Sequence, residues 1–434
     1  MRTTVTQWQW PNTGIPIDIC VSNSDLFPLI TDHNSPFFAH AGHSGSNPEQ
    51  RPGMDGRGAF HADAYPLGRP VHGGQCHPGI LDFSVNLNPL APSIPDSTWL
   101  RWKNHAMRYP PATSDAISVR LAGVLGSEAR QTVVTNGGME ALQAGIAAQP
   151  ARQVCIPAPC FAEYPYLAQQ ANTRFRIIAI DPGDWWNPDA WLEQDYPRGS
   201  LVVLANPANP TGMRIPRKRM VQAILHHRQR GVRWLVDEAF MGFSPGGFPE
   251  SLLRNIHELP EVTVAGSLTK LWSIPGLRLG YLVSGNPAIA DAVRQRQLSW
   301  PLNGIATAWA DEFLHPDGLN QLMSQMPIIH AWKDDFQVAL HNLPGIQPMP
   351  SDTNFFLAGL DSSIDRSALS FSMKQKGIAV RSCESIPGME NTAFWRVAVR
   401  APEENIRFVA ALNQSLNTLS PQPSGITGTR YSQS

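Results

Sequence analysis

Charged residues are scarce in this chain of 434 residues. They make up 16% of the sequence, against about 25% in an average globular protein. The formal net charge is only −1, so the chain lacks the positive field by which a protein attracts nucleic acid or an anionic membrane surface. We therefore expect neither nucleic acid nor a membrane among its partners.

Paired cysteine motifs and long apolar runs are also missing. The five cysteines are odd in number, scattered and without a C-x-x-C pair, which argues against a disulfide framework and a zinc knuckle and favours a reducing compartment. No apolar run approaches the roughly 18–20 residues needed to cross a bilayer. The N-terminus, MRTTVTQWQWPNTG, lacks the basic stretch and apolar core of a secretory signal. We expect a soluble, cytoplasmic protein.

Regular periodicity is absent from residues 1–71, which are rich in Gly, Pro, Ser, Asn and His. We interpret them as a poorly ordered extension, without the helical period or basic charge of a DNA-binding helix-turn-helix. His33, His40 and His43 lie there, but no recognisable ligand set surrounds them and we expect no metal site. Residues 420–434, rich in Pro, Ser, Gly and Thr, are expected to be a flexible tail.

What is present is a 42% hydrophobic content and an alternation of short β-branched runs with helical stretches. The runs QTVVT, RQVCIPA, SLVVLA, RWLVDEAF and VTVAGS predict buried strands of a parallel sheet in an α/β domain. After about residue 310 comes one long helical stretch, LNQLMSQMPIIHAWKDDFQVALHN. It is followed by the strand-like pieces TNFFLAG, GIAVRSC and FWRVAVR and by a last helix. This part is typical of a smaller α+β domain.

Polar residues directly follow four of these runs: Asn136-Gly137-Gly138, the segment NPANPTG, Asp237-Glu238 and the segment SLTK. Asn209 and Asp237 are 28 residues apart, and Asp237 and Lys270 are 33 apart, close to the ~30 residues of one βαβ unit. Ligands of open parallel sheets bind beyond the carboxyl ends of the strands. The spacing therefore predicts one site at one edge of one sheet.

Lys270 is the first candidate for chemistry at this edge. It follows a strand in apolar surroundings, Leu268, Leu271 and Trp272, where desolvation disfavours the ammonium form. A neutral amine is what a Schiff-base lysine requires. Alone, the residue would be an ordinary surface lysine, so the assignment depends on its neighbours.

Those neighbours predict a bound phosphate. Ser267 and Thr269 offer hydroxyls, and Arg278 offers a fork of N–H donors that suits a phosphate dianion. Gly137 and Gly138 precede a helix-forming run, so their backbone amides and the helix N-terminus can bind the same group.

Three motifs in this order and spacing, NPANPTG, VDEAF and S-L-T-K-x7-R, resemble the class I/II pyridoxal-5′-phosphate (PLP) aminotransferase family over about residues 72–416. The resemblance implies the fold type I of PLP-dependent transferases, an α/β fold with a large, mixed, mostly parallel sheet and a smaller α+β domain. It also implies PLP as cofactor and a homodimer with shared active sites. We divide the chain into an N-terminal arm with part of the small domain (72–110), a large PLP-binding domain (111–310) and the C-terminal small α+β domain (311–419).

Individual roles follow from the same resemblance. Lys270 matches the Schiff-base lysine, and Asp237 matches the carboxylate that keeps the pyridine nitrogen protonated, so that the ring acts as an electron sink. Asn209 matches the O3′ ligand and Phe161 the residue stacked on the ring. Tyr109 resembles the tyrosine that reaches the phosphate of the neighbouring subunit, and Arg396 the arginine that binds the substrate α-carboxylate. The remaining matches form the phosphate cup: Gly137, Gly138, Met139, Ser267, Thr269 and Arg278.

Within the family the chain resembles two branches, the threonine-phosphate decarboxylases of cobamide synthesis and the histidinol-phosphate aminotransferases. Three features favour the decarboxylases. They are VHGG followed by ILDFSVNLNPLAP, Phe240 in VDEAF where aminotransferases usually have tyrosine, and RVAVR, in which Arg400 follows Arg396 by four. Two departures, Cys160 where threonine is common and the N-terminal extension, do not touch the core chemistry.

Both branches act on a phosphorylated amine, so extra cations are expected. Arg381 and His72 are the candidates for the substrate phosphate, although His72 is equally well a solvated loop histidine and Arg400 a structural ion-pair residue. The expected reaction is decarboxylation of L-threonine O-3-phosphate to (R)-1-aminopropan-2-yl phosphate and CO2. The alternative is transamination from a phosphorylated amine to a keto acid, as in histidinol-phosphate aminotransferases.

Overall fold

The computed structural model describes residues 59–61, 70, 72–74, 77 and 79–419. Most of the expected extension (1–71), the three histidines at 33, 40 and 43, and the expected tail (420–434) lie outside these residues. Within the expected extension, Ala59–His61 forms a short strand. It pairs antiparallel with the strand Phe175–Ala179 and is itself the edge strand of the larger sheet.

Fourteen strands are described, numbered in chain order. They are β1 Ala59–His61, β2 Leu81–Asp82, β3 Thr132–Asn136, β4 Val154–Ala158, β5 Phe175–Ala179, β6 Leu201–Ala205, β7 Arg233–Asp237, β8 Val262–Ser267, β9 Leu279–Ser284, β10 Ile346–Pro348, β11 Phe355–Leu360, β12 Ile378–Ala379, β13 Arg381–Ser382 and β14 Phe394–Ala398.

Thirteen α-helices are described in the same residues. They are α1 Asp96–Trp102, α2 Asp115–Leu125, α3 Gly138–Ala148, α4 Glu163–Gln170, α5 Pro188–Leu192, α6 Arg217–Arg228, α7 Leu268–Leu271, α8 Pro287–Arg296, α9 Gly304–Phe313, α10 Pro316–Ser324, α11 Met326–His341, α12 Arg366–Gln375 and α13 Pro402–Leu419. Not one of them combines the length and the apolar character that a membrane-crossing helix needs.

The larger sheet has eight strands in the order β1-β5-β4-β6-β7-β8-β9-β3. Strands β4 to β8 run parallel, and the predicted parallel core is therefore confirmed. Every residue of β4 and β6 is buried, as expected for strands covered by helices on both faces. The carboxyl ends of these strands share one edge, which positions the site.

Besides β1, two strands of this sheet had no counterpart among the predicted apolar runs. The sequence analysis did not identify β5 or β9, and β9 pairs antiparallel with both β8 and β3. The sheet is therefore mixed and mostly parallel, which confirms the sheet that the family resemblance implied. Strand β9 packs closely against the start of α3, because a Cβ at Gly280 would collide with the backbone of Gly137 and Gly138. Glycine is needed where two backbones approach this closely.

The second sheet is antiparallel, in the order β10-β11-β14-β13, and lies within residues 311–419. The strand predicted from GIAVRSC is split. Ile378 pairs with Leu81 in a separate two-stranded sheet, whereas Arg381 pairs with Arg396 of β14. Val380 is the residue at which the chain passes from one sheet to the other.

The single helical stretch predicted after residue 310 is two helices, α10 and α11. Pro327 lies in the first turn of α11, where its missing N–H costs nothing, but it could not continue α10. Aromatic residues dominate the core around this segment. Phe336 of α11 packs against Phe83, Phe356 and Phe408 with ring centroids 5.4 to 6.0 Å apart.

Candidate functional site

A cavity of about 460 Å³ lies at the carboxyl ends of the parallel strands. Most of the side chains predicted for the site line this one cavity. Those brought together are His72, Gly138, Met139, Phe161, Asn209, Asp237, Ser267, Thr269, Lys270, Arg278, Arg381 and Arg396. Gly137 adjoins them as the residue before α3, whereas Tyr109 does not line the cavity of its own chain.

Lys270 lies in the short helix α7, directly after β8. Asn88 holds this turn from outside, because its backbone N–H donates to Lys270 O (3.0 Å) and its Nδ2 donates to Leu271 O (2.9 Å). Burial lowers the pKa of Lys270 to about 8, and the positive charges of Arg396 and Arg278 act in the same direction. A substantial neutral fraction is therefore available near physiological pH.

Asp237 ends β7 and has one hydrogen-bond donor on each carboxylate oxygen. The N–H of Ala239 donates to Oδ1 (3.0 Å), and the hydroxyl of Tyr164 donates to Oδ2 (2.9 Å). Burial raises the pKa of Asp237, and both hydrogen bonds and the charge of Lys270 oppose that rise. The carboxylate thus lies in the cavity with fixed partners on both oxygens.

An anion-binding cradle forms where α3 begins. Gly137 has φ +82°, and a Cβ there would collide with the guanidinium of Arg278, so only glycine lets this arginine approach the helix N-terminus. Arg278 itself has φ +57°, and its Nη1 donates to Pro275 O at 3.2 Å. Ser267 and Thr269 complete the set with hydroxyl oxygens 2.7 Å apart.

Arg396 of β14 links the second sheet to the cavity. Its Nη1 donates to Asn209 Oδ1 (2.7 Å), and its Nη2 donates to Ser84 O (2.8 Å). Its Nε is buried and has no partner among the described residues. Burial lowers the pKa of Arg396 to about 10. Since Asn209 accepts this bond through its oxygen, its amide N–H groups stay free to donate to a ligand.

Arg381 and His72 supply the remaining basic groups of the cavity. Arg381 is the cross-strand neighbour of Arg396, and its Nη2 donates to Ser385 Oγ (3.1 Å). His72 Nε2 contacts Glu163 Oε1, and 42% of its side chain is exposed. Its ring centroid lies 6.0 Å from that of Phe161. His72 is therefore held at the mouth of the cavity by a carboxylate partner.

Sequence reasoning missed several residues in or beside the cavity, among them Ser84, Asn86 and Tyr164. Ser84 and Asn86 line the cavity, and the Oδ1 of Asn86 is buried without a partner among the described residues. Both lie in DFSVNLNP, a segment noticed in the sequence but not assigned residue by residue. Tyr164, the hydrogen-bond partner of Asp237, could not be identified from the sequence, because there it occupies what looks like an ordinary apolar position of a helix.

The structure shows the contacts of Arg400, whose role was left open, and of Phe240. Arg400 does not line the cavity. It pairs with Glu404 (2.8 Å) and packs over the ring of Phe83 (5.7 Å), as a structural ion-pair residue does. Phe240 does line the cavity and packs edge-on against Phe355 at 4.8 Å. It offers no hydroxyl there.

The charge balance of the cavity indicates what it binds. Four cationic side chains, Lys270, Arg278, Arg381 and Arg396, face only two carboxylates, Asp237 and Glu163. An excess of positive charge in a cleft attracts anions, so the cavity suits ligands with several negative charges. The cradle at Gly137, the carboxylate Asp237 and the amine of Lys270 match the phosphate, the ring nitrogen and the aldehyde of PLP.

A family model, aminotransferase class I and II, matches residues 81–412. The chain belongs to the class I and II aminotransferase family. As in that family, the cofactor is PLP, and the cavity residues fit it. The chain is therefore a PLP-dependent enzyme, as the motifs predicted.

Members of the class I and II aminotransferase family with different activities resemble the chain. It is 32% identical to threonine-phosphate decarboxylase of Salmonella typhimurium, over 79% of this chain and 93% of that protein. It is 28% identical to histidinol-phosphate aminotransferase of Symbiobacterium thermophilum, over 81% and 96%. The crystal structure of L-threonine-O-3-phosphate decarboxylase from Porphyromonas gingivalis has the same fold, with a TM-score of 0.68, 22% identity and coverage of 78% and 100%.

Proposed function

We propose that the enzyme decarboxylates L-threonine O-3-phosphate to (R)-1-aminopropan-2-yl phosphate and CO2. The observation that carries this proposal is the pair Arg381 and Arg396, which are directly opposite each other on β13 and β14 and line the same cavity as Lys270. Opposed residues of an antiparallel pair project from the same face of the sheet. The two guanidinium groups therefore form one binding surface for two anionic groups.

Threonine phosphate carries both an α-carboxylate and a phosphate on neighbouring carbons, and this matches the pair of arginines. Arg396, anchored by Asn209 and Ser84, would bind the carboxylate, and Arg381 with His72 would bind the phosphate. Histidinol phosphate has a phosphate but no carboxylate. The 32% identity to a threonine-phosphate decarboxylase supports the same choice.

The segment before β2 supports the proposal independently. Gly74 N–H donates to Ser84 Oγ (3.1 Å), and a Cβ at Gly73 would collide with the same side chain. The HGG segment is thus packed against DFS, and the two parts of the first feature that favoured the decarboxylases form one wall beside His72.

Each residue of the site has a distinct task in this proposal. Bound PLP supplies a ring that takes up the electron pair left on Cα when CO2 departs. Asp237 holds the proton on the ring nitrogen, Asn209 donates to the phenolic oxygen, and the cradle at Gly137 and Arg278 binds the cofactor phosphate.

Proton transfer to Cα completes the reaction, because the departing CO2 must be replaced by a proton. Lys270 is the candidate acid: with a pKa of about 8, its amine exists in both protonation states near pH 7 to 8. Such a group can accept and return a proton efficiently. Arg396 and Arg381 orient the substrate and keep their charges throughout.

Transamination of histidinol-phosphate type is the second candidate function. The 28% identity to a histidinol-phosphate aminotransferase over 96% of that protein favours it, and the same Lys270, Asp237 and Asn209 would serve. In this case Arg396 would bind the carboxylate of a keto acid.

One experiment separates the two reactions. Purified, PLP-loaded enzyme is incubated with L-threonine O-3-phosphate without a keto acid, and CO2 release is followed. In parallel, histidinol phosphate is supplied with and without 2-oxoglutarate. CO2 release without a keto acid supports the proposal, whereas turnover that requires a keto acid and yields no CO2 refutes it.

We also propose a homodimer in which Tyr109 reaches the partner's cofactor phosphate. Tyr109 is 83% exposed and packs on Trp300, itself 51% exposed, with ring centroids 4.9 Å apart. Met107 and Leu298 are exposed nearby in sequence. Exposed apolar side chains of this size are typical of an interface. A monomeric mass in sedimentation velocity would contradict the proposal.

A further inference from the structure

Tyr164 lies in the first turn of α4, three residues after Phe161. Its side chain is fully buried and does not line the cavity. Its hydroxyl lies 2.9 Å from Asp237 Oδ2, its one hydrogen bond among the described residues. Its ring packs edge-on against Phe161 with centroids 5.6 Å apart. The residue thus contacts two groups of the site from behind without reaching the ligand.

The direction of the Tyr164 hydrogen bond is fixed. Burial raises the pKa of Tyr164 well above 10, and the negative charge of Asp237 raises it further. The phenol therefore keeps its proton, and the carboxylate oxygen is the acceptor. With Ala239 N–H on the other oxygen, both oxygens are held, and the rotation of the carboxylate is restricted.

We propose that Tyr164 is a positioning residue that keeps Asp237 ionised and correctly oriented for the pyridine nitrogen of bound PLP. Without the phenolic O–H, burial favours a neutral Asp237, and a neutral carboxyl group cannot hold a proton on the ring nitrogen. The inference rests on the proposed role of Asp237. It does not depend on whether decarboxylation or transamination follows.

Other groups around Asp237 do not replace this hydroxyl. Lys270 on α7 favours the ionised form by its charge. Glu238, the next residue of the chain, interacts unfavourably with a charged Asp237, and so does an ionised Tyr281 on β9. Tyr164 is the neutral side-chain donor that contacts the carboxylate in the described part of the chain.

The test compares four proteins: wild type, Tyr164→Phe, Asp237→Asn and the double variant. Two quantities are measured for each, the dissociation constant of PLP by equilibrium dialysis and the pH titration of the visible absorbance of the PLP-loaded enzyme. A hydrogen bond to a charged group predicts an increase of about 10- to 100-fold in the dissociation constant for Tyr164→Phe. The absorbance titration should shift as well.

If Tyr164 acts through the carboxylate, Tyr164→Phe should change the PLP dissociation constant less than about 2-fold when Asp237 is already Asn. Tyr166→Phe is the matched control, since it removes a phenolic O–H from the same helix at a half-buried position that does not line the cavity. It should leave both quantities unchanged.

Four outcomes would overturn the inference. Equal effects of Tyr164→Phe in both backgrounds would mean a purely structural role, and so would an equal effect of Tyr166→Phe. An unchanged absorbance titration in Tyr164→Phe, with a clear change in Asp237→Asn, would leave the role of Asp237 intact and refute that of Tyr164. No change in Asp237→Asn itself would refute the role proposed for Asp237, and the inference with it.

Discussion

Glu238, the residue next to Asp237, should make the stability of the enzyme depend on pH. Its carboxylate is 2% exposed and accepts hydrogen bonds from Ser251 Oγ and, at 2.9 Å, from Leu252 N–H. Burial raises its pKa from 4.5 to about 7. The folded protein therefore binds a proton at Glu238 between these pH values, and the unfolded chain does not.

The sign and size of the effect follow from linkage. Because the folded pKa is the higher one, the contribution to the free energy of unfolding is fully present below pH 4.5 and is lost as pH rises through about 7. A difference of roughly 2.5 pKa units corresponds to about 3 kcal/mol. Glu238→Gln keeps a similar shape, accepts from Leu252 N–H and donates to Ser251, but does not titrate.

The assay is urea unfolding of wild type and Glu238→Gln at a series of pH values from 4.5 to 8. Subtracting the two free energies cancels the titration of all other groups. The variant should gain about 2–3 kcal/mol relative to wild type between pH 5 and pH 8. A difference that stays flat with pH, or that favours wild type at high pH, would refute the reasoning.

Four further predictions concern the site. Lys270→Ala should abolish both turnover and the visible absorbance of the lysine-bound cofactor. Retention of that absorbance would refute the assignment of Lys270 as the Schiff-base lysine. In wild type, the rate of PLP incorporation into the cofactor-free enzyme should rise about tenfold per pH unit below pH 8 and level off above it. The reason is that only the neutral amine of Lys270 reacts. A rate independent of pH would contradict this. Asn88→Ala removes the side-chain hydrogen bond to Leu271 O. It should lower the free energy of unfolding, measured by urea titration, by about 1–3 kcal/mol. An unchanged midpoint would show that the turn that carries Lys270 does not need this bond. Arg381→Gln should raise KM for L-threonine O-3-phosphate at least about tenfold, whereas the exposed Arg407→Gln should leave KM unchanged; equal values for both variants would exclude Arg381 from substrate binding.

The parallel core and the edge that carries the site were predictable from the sequence. Short apolar runs ended at polar residues at intervals of about one βαβ unit, and this brought Asn209, Asp237 and Lys270 to one place. The motifs are local, and each lies at the end of its own strand. Neither side-chain packing nor long-range pairing was needed to find them.

Features that depend on distant contacts were not predictable. Tyr164 contacts Asp237 across 73 positions, and Asn88 contacts Leu271 across 183. Neither the residue type nor the local periodicity of the sequence predicts such a partner. The antiparallel pairing of β9 and the division of GIAVRSC between two sheets are likewise decided by neighbours in space. Arg400 had two possible roles until its contacts with Glu404 and Phe83 were known.

The hydrogen bond between Ser84 and Arg396 has a consequence for co-translational folding. These residues are 312 positions apart, and at about 5–20 residues per second their synthesis is separated by roughly 15 to 60 s. Until β12 and β14 leave the exit tunnel, β2 has no partner and one wall of the cavity does not exist. A nascent chain therefore has all strands of its large sheet before this wall of the cavity can form, and a chain that ends before Arg396 would lack the bond to Ser84.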